Sequence, residues 1–288
     1  MSTTIRELEP KEVWNRFADI NAVPRPSKKE QKITAFMVDF GKKLGLETTS
    51  DAYGNVIIRK PATAGLENKK PIILQSHLDM VCQKNNDTVF DFDNQGIETY
   101  IDGDWVRAKG TTLGADNGMG VAAIMAILES KTIAHPALEA LFTTDEETGM
   151  TGAQKLSNDA LKGEILLNLD TELDTEIEIG CAGGIDVSAY ADYKEEATPS
   201  DVVAYHIVVT GLLGGHSGME IHIGRGNANK IMNRVLFHQY EKHGLRLAQL
   251  HGGGLRNAIP RESEAIVVVP KKNQAAFEKE FKENAEHI

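Results

Sequence analysis

Pro71-Ile72-Ile73-Leu74-Gln75-Ser76-His77-Leu78-Asp79 is an apolar run that ends in a histidine and a carboxylate. Ile72-Ile73-Leu74 shows no polar alternation, as expected of a strand covered on both faces. Ile165-Leu166-Leu167 repeats the pattern, and residues 55–59 and 138–142 read as further strands. Between them, 118–130 is rich in Ala, Ile and Met and reads as a buried helix. Strands alternating with helices predict an α/β fold: a mostly parallel mixed sheet with helices on both faces.

Upstream, Pro10 opens a helix whose Val13, Trp14, Phe17 and Ile20 recur at helical spacing. Pro24-Arg25-Pro26 stops it, because proline disfavours helical geometry in the residue before it. Ser27, three residues before Glu30, is spaced as a capping box for a second helix with Ile33, Phe36, Met37, Phe40 and Leu44 on one stripe. Downstream the texture changes. Gly180-Cys181-Ala182-Gly183-Gly184 and the polar stretch 192–201 mark a boundary. Strands at 202–208, 245–250 and 264–269, a helix at 227–241 and a final charged helix then make a smaller α+β unit.

The composition excludes several classes. Of 288 residues, 31 are Lys or Arg and 42 Asp or Glu, giving a net charge of −11. A nucleic-acid binder wants a basic face, so none is expected as partner. The longest apolar stretch, 121–128, is far short of the ~20 residues of a membrane span. No signal peptide is apparent at the start. Cys82 and Cys181 cannot make a disulfide framework, and a reducing cytoplasm is the expected location.

Four acidic or histidine clusters carry the chemistry. Ser76-His77-Leu78-Asp79, Asp145-Glu146-Glu147-Thr148-Gly149 and Asn168-Leu169-Asp170 each follow an apolar strand, and Gly114-Ala115-Asp116-Asn117-Gly118 opens the buried helix. In open α/β sheets the binding crevice lies beyond the carboxyl ends of the strands, where such residues gather. His77 can ligate a metal through one ring nitrogen while Asp79 fixes the other. Asp116, Glu147 and Asp170 offer oxygen ligands, a mixed set suited to zinc, or less specifically to manganese or cobalt. Glu146, adjacent to a ligand, would accept a proton from water that the metal acidifies. Taken singly, each cluster has a plainer reading. His77 and Asp79 can be an ordinary pair, Asp116 a helix cap, Glu146-Glu147 a solvated loop and Asp170 a turn residue. Their joint occurrence at strand ends favours the metal site.

These motifs resemble those of the co-catalytic dizinc aminopeptidase, dipeptidase and aminoacylase family. The resemblance implies that His77 and Asp170 hold one zinc, Asp116 bridges two, and Glu147 belongs to the second. Asp79 would orient His77, and Glu146 would be the general base. It further implies hydrolysis of dipeptides, of Xaa-His type or broadly, by zinc-activated water. N-acyl amino acid hydrolysis on the same scaffold is the alternative. Residues 1–184 would be the metal-binding catalytic domain and 185–288 an incomplete lid that makes a homodimer. Within it, His216 of Gly214-Gly215-His216-Ser217-Gly218 would stabilise the oxyanion, and Asn257 of Arg256-Asn257-Ala258-Ile259-Pro260 would contact substrate. Without the resemblance, His216 is a histidine in a glycine turn and Asn257 a turn residue. Family members continue beyond the position of Ile288 and supply another histidine to the second metal. On that reading these residues are the major part of a longer enzyme, with a weakened second metal and an apolar sheet edge left open. A fragment that binds one metal or only dimerises is the non-catalytic alternative.

Overall fold

The computed structural model describes residues 4–171, 173, 175–181, 183, 185 and 187–287. Two compact units divide the chain, Met1–Ile177 and Glu178–Ile288. Ala182 and Gly184 of the Gly180–Gly184 motif lie outside the described residues.

The first unit begins with α1 (Lys11–Asn21), which Pro10 precedes as expected, and α2 (Gln31–Lys43). The capping box does not form. Glu30 itself borders α2, and the side chains of Ser27 and Glu30 bond elsewhere. Then follow β1 (Glu47–Ser50), β2 (Val56–Lys60), β3 (Ile72–His77), a hairpin of β4 (Thr99–Asp102) and β5 (Trp105–Ala108), α3 (Ala115–Glu129), β6 (Leu138–Thr143), the short α4 (Thr151–Lys155) and β7 (Ile165–Asn168). The sheet order is β1-β2-β6-β3-β7. It is mixed: β6, β3 and β7 run parallel, whereas β2 pairs antiparallel with β6 and β1 antiparallel with β2.

Period-two alternation divides the strand side chains between two faces. Val56, Ile58, Leu74, Leu138, Ala140 and Phe142 join Phe17 and Ile20 of α1, Ile33 and Met37 of α2, and Ile124 and Met125 of α3 in the main core. Ile57, Ile73 and Leu141 face the other way, under Leu156, Ala160 and Leu161 from the turn after α4. Each such large side chain, fully buried, contributes about 1.5–3 kcal/mol. Gly120 lets α3 come close to the sheet, since a Cβ there would lie 2.6 Å from both Leu169 O and Ser76 Oγ.

β7 departs from expectation. Ile165, Leu166 and Leu167 are 42%, 51% and 48% exposed, not covered on both faces. The strand pairs with β3 alone, and neither apolar cluster reaches it. The register nevertheless aligns the strand ends. His77 stands opposite Thr143, and Gln75 opposite Asn168. Segments 78–79, 144–147 and 169–170 therefore leave the sheet on one side.

The second unit contains β8 (Val202–Val209), β9 (Gly215–His216), α5 (Ala228–His243), β10 (Arg246–Gly252), β11 (Ala258–Ile259), β12 (Ser263–Pro270) and α6 (Gln274–Ala285). An antiparallel sheet, ordered β10-β12-β8, packs Ile207, Val267 and Val269 against Met232 and Leu236 of α5 and Phe277 of α6. Asn227 caps α5, its side chain accepting the Lys230 N–H at 3.1 Å. β10 is an edge strand, exposed along its whole length.

Candidate metal centre

β3 delivers His77 to the sheet rim, where it is 1% exposed. Its Nε2 lies 2.9 Å from Asp116 Oδ1, 3.6 Å from Asp170 Oδ1 and 3.9 Å from Glu146 Oε2. Ligating atoms of His77, Glu146 and Asp170 all fall within 4.8 Å of one another, as do those of His77, Asp116 and Glu147. Residues 39 to 93 positions beyond His77 in the chain thus meet around its imidazole. The Asp116 backbone is extended (φ −81°, ψ 114°), a kink within the first turn of α3.

Asp79 is fully buried, and its Oδ1 lies 3.3 Å from His77 Nδ1, too poorly aligned to make a hydrogen bond. The same carboxylate accepts the Glu146 N–H (3.0 Å) on Oδ1, and the Glu147 N–H (3.2 Å) and the Ser27 hydroxyl (2.7 Å) on Oδ2. Burial opposes its ionisation, but His77 and these donors outweigh burial and hold it below the usual carboxylate range. Glu30, Asp79 and Asp145 form a third close group, entirely buried. Its oxygens are engaged by donors of the protein. Glu30 accepts the Asp145 N–H at 2.9 Å, and Asp145 accepts the Thr148 and Thr151 hydroxyls.

The electrostatics around His77 call for a cation. Burial, with the negative charges of Asp116 and Glu146, pushes Glu147 up to about 7. Burial and the Asp116 and Glu146 charges push Asp170 up to about 6. Burial alone would lower His77, but Asp116, Asp79 and Asp170 raise it to about 10. Carboxylates that retain protons near neutrality because they crowd one another are relieved by a positive ion. One imidazole and four carboxylates are a donor set that fits a divalent metal.

In the second unit, β9 and β11 pair so that Ala258 stands opposite His216. The Ser217 N–H donates to Asn257 O at 2.9 Å, and Asn257 sits in the turn that leads into β11. His216 Nδ1 accepts the Gly218 and Met219 N–H groups, each at 3.1 Å. The ring proton is therefore assigned to Nε2. Gly215 makes the turn possible: its φ is +148°, and a Cβ would meet the Glu220 carboxylate at 2.5 Å. That carboxylate accepts the His216 N–H at 2.8 Å.

Sequence reading missed Arg25, Ser27 and Glu30 as parts of this site, and gave Asp145 no role of its own within its cluster. A pattern of polar residues announces hydrogen bonding but does not name the partner. Ser27 and Glu30 carried a spacing that pointed to the wrong one.

Comparison with known families follows this geometry. The model for peptidase family M28 matches residues 55–203, more than half of the chain. The chain belongs to peptidase family M28. A peptidase dimerisation domain model matches residues 207–288 of this chain. The cytosol non-specific dipeptidase of Escherichia coli is 49% identical to it over 265 residues, 92% of this chain and 55% of that protein. The crystal structure of aminoacylhistidine dipeptidase from Vibrio alginolyticus matches with a TM-score of 0.62 and 46% identity, covering 99% of this chain and 58% of that one. The chain thus spans somewhat over half the length of these relatives. Among the described residues, no helix is long and apolar enough to cross a membrane.

Proposed function

We propose that this chain carries the catalytic machinery of a metal-dependent dipeptidase acting in the cytoplasm on Xaa-His or other short peptides. The observation that carries the reading is the meeting of His77, Asp116, Glu146, Glu147 and Asp170 within coordination range. His77, Asp116, Glu147 and Asp170 hold the metal, zinc by preference and two ions in the full enzyme. A bound divalent ion supplies positive charge that polarises a carbonyl and acidifies water.

The chain's own residues do the rest. Glu146, about a third exposed at the mouth of the site, takes the proton of the attacking water and returns it to the leaving amine. Asp79 orients His77 and, through the Glu146 and Glu147 amides, the loop that bears the base. His216 donates from Nε2 to the negative charge developing on the scissile carbonyl oxygen. Asn257 contacts the substrate backbone. Residues 1–184 serve as the catalytic domain, and residues 185–288 as the lid and the homodimer contact, a role supported by the dimerisation-domain match.

Glu146→Ala separates chemistry from metal binding. Turnover of dipeptides should fall about 10²–10⁴-fold, while metal content by mass spectrometry stays at the parent level. Survival of both activity and metal in this variant refutes the assignment of the base. A parallel assay with N-acyl amino acids decides the substrate class, and faster cleavage of these than of dipeptides overturns it.

A further inference from the structure

The site is also reached by a segment that takes no part in the chemistry above. After α1, Arg25-Pro26-Ser27 runs alongside Met80. Pro26 and Met80 form a parallel bridge, and the Met80 N–H donates to Arg25 O at 3.2 Å. Three side chains leave this short segment for three separate loops. Arg25, 2% exposed, donates from Nη1 to Leu78 O (3.1 Å) and Asp79 O (2.8 Å), and from Nη2 to Gly114 O. Ser27 donates to Asp79 Oδ2 at 2.7 Å. Glu30 Oε1 accepts from the Lys28 N–H (2.8 Å) and the Asp145 N–H (2.9 Å).

The choice of partners is informative. A buried guanidinium is costly to desolvate and ordinarily pairs with a carboxylate. Arg25 instead spends its fork on backbone carbonyls of two loops. One follows His77 directly, and the other lies two residues before Asp116. Ser27 and Glu30 act on the third loop. Asp145, Glu146 and Glu147 present consecutive amides, the first held by Glu30 and the next two by the carboxylate that Ser27 steadies.

We propose that Arg25, Ser27 and Glu30 form a positioning strap, Arg25 setting the separation of the His77 and Asp116 loops and Ser27 and Glu30 aiming Glu146 and Glu147. The inference rests on the metal-site reading, and the test keeps the two apart. Hydrogen exchange by mass spectrometry is measured on the metal-free chain, and Co2+ affinity with its visible absorption spectrum on the loaded one. In Arg25→Lys, which keeps the charge but not the fork, peptides covering 76–82 and 112–120 should exchange faster, while those covering 202–209 and 263–270 stay as in the parent. Co2+ affinity should drop about tenfold or more, with an altered spectrum. Ser27→Ala should speed exchange at 143–149 and weaken Co2+ binding, and Ser27→Thr should restore both.

Exchange unchanged in both loops of Arg25→Lys overturns the strap. So does faster exchange with unchanged Co2+ affinity and spectrum, or a Ser27→Thr variant no better than Ser27→Ala. If Arg25→Lys loosens the whole chain, the Ser27 pair decides. If the parent takes up no Co2+, the metal reading fails, and the exchange data alone support or overturn the strap.

Discussion

His77 holds the proton that matters most to metal uptake. With its pKa raised to about 10, the metal-free imidazole is charged at neutral pH, and a metal can bind it only by displacing that proton. Glu147 at about 7 and Asp170 at about 6 add protons to be displaced below those values. All three lie above their ordinary values, so the sign is common. Metal affinity should climb with pH, and climb more steeply below pH about 7, where Glu147 and then Asp170 join His77. Competition against a chromophoric chelator between about pH 5.5 and 8 measures this, and an affinity independent of pH contradicts the assignment. The same shifts bear on the metal-free fold. His77 adds stability below the unfolded histidine value of about 6.5, and loses it as pH rises towards 10. The raised carboxylates also favour the folded state less as pH rises through 6 and 7. Removing the metal should therefore cost most stability on the alkaline side.

At the scale of elements, the site is a meeting of strand ends with the start of α3, and Gly120 sets how closely they meet. Gly120→Ala puts a methyl group into Leu169 O and Ser76 Oγ, one residue from Asp170 and from His77 respectively. Overpacking of this kind costs about 1–3 kcal/mol. Urea denaturation should register that loss, together with weaker metal binding; an unchanged midpoint would mean that α3 has room to shift. Much of this level was legible. The apolar runs Ile72-Ile73-Leu74, 138–142 and Ile165-Leu166-Leu167 announced parallel strands, and residues that gather just past strand ends are where an α/β sheet puts its crevice. The hairpin of β4 and β5 gave no clear period in its sequence. The run Ile165-Leu166-Leu167 signalled cover on both faces, yet burial depends on neighbours that a local pattern does not contain. Ser27 and Glu30 mark the same limit. Their spacing fits a cap, but buried Asp79 and the Asp145 amide, 52 and 115 residues away, claim them.

At the scale of the molecule, each unit has its own core, and the second exposes apolar side chains beside its edge strand β10. Phe237 and Tyr240 of α5 and Leu247 and Leu250 of β10 are all more than half exposed. An unpaired strand beside apolar side chains is a template for another chain. On the proposed dimer, Leu247→Lys with Leu250→Lys should weaken self-association at least about tenfold by sedimentation velocity, about 1.4 kcal/mol, and leave metal binding untouched. A parent chain that is monomeric at every concentration removes the proposal. In the first unit, the Asp79 carboxylate accepts the Glu146 and Glu147 amides at once, so one buried side chain fixes the backbone at both positions. Loss of that carboxylate would strand both amides together, and the two positions are kept or lost as a pair.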